Sequence, residues 1–235
     1  MINKYSAKDI IELELAIEGS VNITFDKSNT DSFFTKIEFE NKELVFTETN
    51  NNGFYKLEVI NPNHEKDLSD LNEIFHNVNN FGDIIKNIAI FGMKHKDMKK
   101  DNKSEILNIT VELPKKLNKF KLKTNNGLAT FNYIDADDVN IKGNNLSAEL
   151  INDISMKNCT IKTNNTNLRI LLTDRLEGMN IKSNNADISF YKTEDTQEIG
   201  IEYKGNNVIE QGILKSTRNI VFCKMNNGAI KVNLK

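Results

Sequence analysis

The chain has 235 residues, 27% charged and 38% hydrophobic, with a formal net charge of −2. That is enough for one or two globular domains, and no apolar run approaches the roughly 20 residues needed to cross a bilayer as a helix. Near-neutral charge argues against a dedicated nucleic-acid binder, and two cysteines make no disulfide scaffold.

The N-terminus carries no apolar signal-peptide core, so a cytoplasmic chain is expected. Residues 1–60 read as irregular strands. Ile11, Leu13, Leu15 and Ile17 alternate with polar residues, and Val21, Ile23 and Phe25 continue the pattern. Ile37 and Phe39, Leu44 and Phe46, then Tyr55, Leu57 and Val59 follow, the last group after the turn Asn51-Asn52-Gly53. Residues 61–105 differ. Leu68, Leu71, Ile74, Phe75, Val78, Phe81, Ile84, Ile85 and Ile88 take helical spacing between Asp67 and Met98, which predicts a helical insertion followed by a charged loop. Its expected role is to cover an end or side of the remaining sheet. Leu107, Ile109, Val111 and Leu113 then alternate again before Pro114 ends the strand.

Residues 106–235 contain a repeat. The pattern Lys-x-Asn-Asn begins at Lys123, Lys142, Lys162, Lys182, Lys204 and Lys224, with intervals of 19, 20, 20, 22 and 20 by subtraction. A lysine- and asparagine-rich composition scatters these residues but does not space them evenly. Each copy has alternating residues before the lysine, such as Val139-Asn140-Ile141-Lys142, and a second alternation after the pair. The unit is strand, Asn corner, strand, polar turn. About 20 residues is too short for two helices and fits one rung of an all-β, single-stranded parallel β-helix (a β-solenoid).

In such a coil Leu122, Ile141, Ile161, Ile181, Tyr203 and Cys223 form one inward file, and Phe131, Leu150, Ile170 and Phe190 another. Asparagine tolerates the positive φ a corner can require, and stacked amides form a ladder. The six lysines form a basic stripe along one outer edge, either solvated or docking an anionic polymer or protein partner. Chain order leaves the rung ending at Lys235 without a cap, which predicts homo-oligomers built end to end.

Chemistry is sparse. His64, His76 and His95 are isolated, and no metal, phosphate-loop or dinucleotide motif is present, so no cofactor is expected. Cys159 and Cys223, three rungs apart in chain order, are too distant to bond and should be buried and free. Asp135, Asp153, Asp174 and Asp195 offer an acidic column that could serve a carbohydrate-active enzyme. Their distances from the Asn pair vary from rung to rung, which marks them as loop residues.

Irregular amphipathic strands, a strand ending in Val111-Glu112-Leu113-Pro114, and rungs near 20 residues together resemble the bacterial family of domain of unknown function 4097, the adhesin-like proteins with β-strand repeats. The resemblance covers residues 10–60 and 106–235. That family usually has a small-residue corner, often with Gly, where this chain has Asn pairs; Gly127 and Gly228 follow the pair in only two rungs. The resemblance implies a non-enzymatic binding or scaffold module, linked to the cell envelope, with no catalytic residues to carry over. A self-assembling structural protein is the alternative reading.

Overall fold

The computed structural model describes residues 2–30, 32–38, 45–60, 106–194, 199–212 and 219–234. The expected helical insertion and charged loop, 61–105, lie outside the described residues, as do all three histidines and Asp195. Among the described residues every regular element is a strand, and the strands form one large, mostly parallel sheet.

The repeat sets its spacing. Strands β7 (Leu117–Lys142) and β8 (Asn145–Lys162) each run through more than one side of the fold. They pair in parallel register, with Asn126 beside Asn145, Phe131 beside Leu150 and Ile141 beside Ile161. Strands β9 (Asn165–Leu171), β10 (Gly178–Lys182) and β11 (Asn185–Lys192) continue the stack, with Ile161 beside Ile181 and Ile170 beside Phe190. The two inward files therefore stack like on like, and Phe131, Leu150, Ile170 and Phe190 are fully buried. No rung could bury these side chains alone; parallel neighbours at about 4.8 Å supply the other walls.

Strand β2 (Glu12–Lys27) acts as a rung ahead of the repeat, bent where its register shifts between Ile17 and Ser20. Leu15 lies beside Leu122 and Phe25 beside Phe131, the two rings stacked at 4.3 Å. Phe120 meets both edge-on, at 5.2 and 5.6 Å. On the far side of β2, β5 (Phe54–Ile60) pairs with its first half and β6 (Ile106–Leu113) with its second, both in parallel. Strands β5 and β6 thus lie along the two halves of β2 as one further rung.

Three antiparallel strands finish that end: β4 (Val45–Asn51) on β5, β3 (Ser32–Glu38) on β6, and β1 (Ile2–Lys8) on β3. Between the two sides, Phe33 packs on Tyr55 at 4.9 Å and closes the core.

The opposite end departs from chain order. Strands β12 (Gly200–Lys204) and β13 (Asn207–Gln211) form the fifth rung; β14 (Asn219–Lys224) and β15 (Asn227–Leu234) form the sixth. The sixth rung pairs with the fourth on one side and the fifth on the other, so the spatial order is four, six, five. The expected open rung at the C-terminus is therefore corrected: that rung is sandwiched, and among the described rungs the fifth is the outermost.

The inward positions supply the reason. The sixth rung places Val221, Cys223 and Ile230 inward, all buried, so it can sit inside the stack. In the fifth rung Glu210 stands beside Ile230 and Gly212 follows Gln211, the partner of Lys231. A carboxylate at an inward position is tolerable only where one side is water. Glu210 accepts a hydrogen bond from Tyr203, which pushes the phenol pKa up, with burial adding to the same direction. The polar rung is the lid.

Candidate functional site

The Asn corner is the most regular feature of the surface. The second asparagines form an unbroken amide ladder in spatial order. Asn145 Nδ2 donates to Asn126 at 2.8 Å, Asn165 to Asn145 at 2.6 Å and Asn185 to Asn165 at 2.7 Å. Asn227 donates to Asn185 and Asn207 to Asn227, both at 2.9 Å. The first asparagines make a second ladder through Asn144, Asn164, Asn184 and Asn226.

The expected positive φ at the asparagine pairs of the repeat does not occur: among described non-glycine residues only Asp9 and Asn52, both outside the repeat, have one. Amide stacking explains the pairs; backbone permissiveness does not. Where a rung does need positive φ, glycine after the pair supplies it, at Gly127 (133°) and Gly228 (138°). The residue between lysine and asparagine tightens the corner. Thr163 Oγ1 donates toward Asn144 O and Asn165 O, and Ser183 Oγ toward Asn164 O and Asn185 O, at 2.9 to 3.1 Å.

This backbone register aligns the lysines. Lys142 stands beside Lys162, Lys162 beside Lys182, Lys182 beside Lys224 and Lys224 beside Lys204. Five cations therefore share one file, and none of their side chains has an acidic partner among the described residues. At a backbone spacing of about 4.8 Å, two neighbouring unit charges repel by about 0.9 kcal/mol in bulk water.

Lys123 is different. It lies at the start of the file, lining a cleft with Lys142, but its Nζ is 3.0 Å from Glu14 Oε1, while Lys121 holds Glu14 Oε2 at 2.8 Å. Burial alone would raise the Glu14 pKa, yet the hydrogen bonds and charges of the two lysines outweigh it and hold the carboxyl below its ordinary value. The Glu14 contact raises the Lys123 pKa in turn. Of the six expected stripe residues, five remain free to meet an anion.

Lys142, Lys162, Lys182 and Lys224, with Asn164, Asn184 and Asn226, line an open groove of about 670 Å³. Such a groove presents cationic heads over a floor of amides. Thr163 and Ser183 add hydroxyls to its lining, which holds no His, Cys, Asp or Glu.

At the opposite turns, Asp135 and Asp153 of the expected acidic column do not stack on each other. Asp135 lies beside Ser155, while Asp153 lies beside Tyr133, so the two carboxylates are out of register. Arg175 takes up two carboxylates instead. Its Nη1 donates to Asp135 and, at 2.6 Å, to Ser155 Oγ; its Nη2 donates to Asp137 at 2.7 Å. Lys157 approaches Asp137 at 3.7 Å and Lys27 approaches Asp153 at 3.5 Å. The Asp137 carboxyl is raised by burial but lowered more by Lys157, Lys116 and Arg175, and ends below its ordinary pKa. Tyr133, buried and flanked by Asp135 and Asp153, is pushed up to about 12 and donates to Lys115 O.

Cys159 and Cys223 are free and buried, and burial pushes both thiols up to about 12. Two steps of the stack separate their rungs, one fewer than chain order predicts. Among the described residues no group of three or more His, Cys, Asp or Glu could hold a metal, and no helix is long and apolar enough to cross a membrane.

No family model and no curated protein matches the chain. Several solved structures match the chain, three of them as follows. A putative cell adhesion protein from Clostridium sporogenes matches with a TM-score of 0.50 and 13% identity, over 100% of this chain and 99% of its own. A putative adhesin from Bacteroides fragilis gives 0.39 and 11%, over 99% and 97%. A putative lipid binding protein from Parabacteroides distasonis gives 0.34 and 11%, over 99% and 96%. The first supports the fold across the full length of both chains.

Proposed function

We propose that this chain is a non-catalytic β-solenoid, an adhesin-like binding scaffold, whose lysine file docks a linear polyanion of the cell envelope. The observation that carries the reading is the run Lys142, Lys162, Lys182, Lys224, Lys204, in register and without acidic partners among the described residues. A stack that neutralises Lys123 with Glu14, and engages two carboxylates through Arg175, leaves these five charges unmatched. Evenly spaced cations over a flat amide floor suit a polymer with repeating negative charge better than a small molecule. The parallel pairing, the files of like residues and the likeness in fold to the Clostridium sporogenes cell adhesion protein support the solenoid scaffold.

Fluorescent dextran sulfate and neutral dextran of equal length test this by anisotropy at low and high ionic strength. The sulfated polymer should bind at low salt and release at high salt, and the neutral polymer should not bind. The double variant Lys162→Glu with Lys182→Glu should lose the binding while unfolding at no lower a temperature than the wild type. Absence of wild-type binding, or equal binding by the variant, refutes the reading.

A further inference from the structure

The inversion of the last two rungs has a consequence for association. Strands β12 and β13 have no pairing partner other than β14 and β15 among the described residues. The chain passes from rung four to rung five before it supplies rung six, yet rung six fills the space between them. Until it does, rungs four and five present facing unpaired edges one rung apart, the arrangement that invites a strand from elsewhere.

We infer that the gap between rungs four and five is a strand-acceptor site, and that its second occupant, besides residues 219–234 of the same chain, is residues 219–234 of another copy. The segment is hydrogen-bonded in parallel along both edges of the gap, and an exchanged segment would make the same contacts in a second molecule. Val221, Met225 and Ile230 are almost fully excluded from water within it.

The fit is also selective. A Cβ at position 228 would come within 1.9 Å of Ala186 O, so the incoming strand must have glycine there. A Cβ at position 205 of the acceptor would come within 2.0 Å of Met225 O. Asn226 and Asn227 extend both amide ladders from Asn184 and Asn185, and Asn207 donates to Asn227 from the other side. Few sequences other than this chain's own segment satisfy apolar residues at 221, 223 and 230, asparagines at 226 and 227, and glycine at 228. The partner is therefore a second copy.

The test uses the full chain. A variant with Val221→Asp and Ile230→Asp cannot seat its own segment, and a labelled peptide with the sequence of residues 219–234 serves as donor. The variant should bind the peptide at least ten-fold more tightly than the wild type, whose gap is filled, and a scrambled peptide should not bind. Equal binding by variant and wild type, or by scrambled and native peptides, overturns the inference.

A second measurement does not depend on the variant folding. Two wild-type batches labelled at their N-termini with donor and acceptor dyes are mixed concentrated, warmed to near the unfolding midpoint and cooled. A slowly dissociating dimer showing energy transfer supports exchange, provided an unwarmed mixture shows none. Monomers without transfer overturn it.

Discussion

The Asn corner and the opposite turns belong to the same rungs but solve the electrostatic problem in contrary ways. At the turns, charges meet their opposites: Arg175 gathers Asp135 and Asp137, and Lys27 faces Asp153. At the corner the amides are stacked in ladders, while five lysine heads have no acidic partner among the described residues. Self-repulsion along that file opposes stability. The difference teaches that the corner's order comes from its backbone and asparagines, which leaves its cations available for binding.

The largest effect expected from this comparison is at the corner's backbone. Gly127 has φ of 133°, and a Cβ there would lie 1.8 Å from Val21 O on the neighbouring rung. Gly127→Val should cost more than about 3 kcal/mol in urea unfolding, through strain and separation of β2 from β7. The lysine charge reversals, which replace two neighbouring repulsions with attractions, should not lower the unfolding midpoint. A mild Gly127→Val variant would mean that the corner does not hold the rungs together.

A smaller effect belongs to the turns. Arg175→Ala leaves Asp135 and Asp137 without their shared guanidinium. It should lower Tm by a few degrees, less than Gly127→Val does, and leave dextran sulfate binding intact. Loss of polyanion binding in this variant would show that the two edges are not functionally separate.

The sequence pattern reveals some of this and hides the rest, for physical reasons. Ile141, Ile161 and Ile181 are mutual neighbours as their spacing predicts, because a stacked rung needs like beside like at a fixed interval. The lysine file was legible on the same ground. Its interruption at Lys123 was not, because Glu14 lies in a distant strand whose register no local pattern sets.

The inversion of rungs five and six left one readable trace, Glu210 at a position that is apolar in its neighbours. Alternation within a strand gives its buried face but not its partner, so the pairing direction of β1, β3 and β4 was beyond the pattern. The Asn pairs offer two physical causes, backbone permissiveness and amide stacking, and the structure retains the second.

The finest division between the two edges runs through Glu14, which among the described residues is the one carboxylate paired with the lysine file. Its folded pKa lies below the ordinary 4.5, because Lys121 and Lys123 offset the cost of burying it. A depressed carboxyl stabilises the fold fully above the unfolded pKa, and that contribution disappears as pH falls through the folded one. Wild type should therefore exceed Glu14→Gln in unfolding free energy by about 1 kcal/mol at neutral pH. The difference should shrink on acidification below about pH 4.5 and approach zero once Glu14 is protonated in both states. Urea unfolding of the two proteins between neutral pH and pH 3 measures it. A difference that stays constant with pH would assign the effect to packing and remove the ion pair as the cause. If the difference does titrate, Glu14→Gln should also free Lys123 and strengthen dextran sulfate binding, lengthening the file from five cations to six.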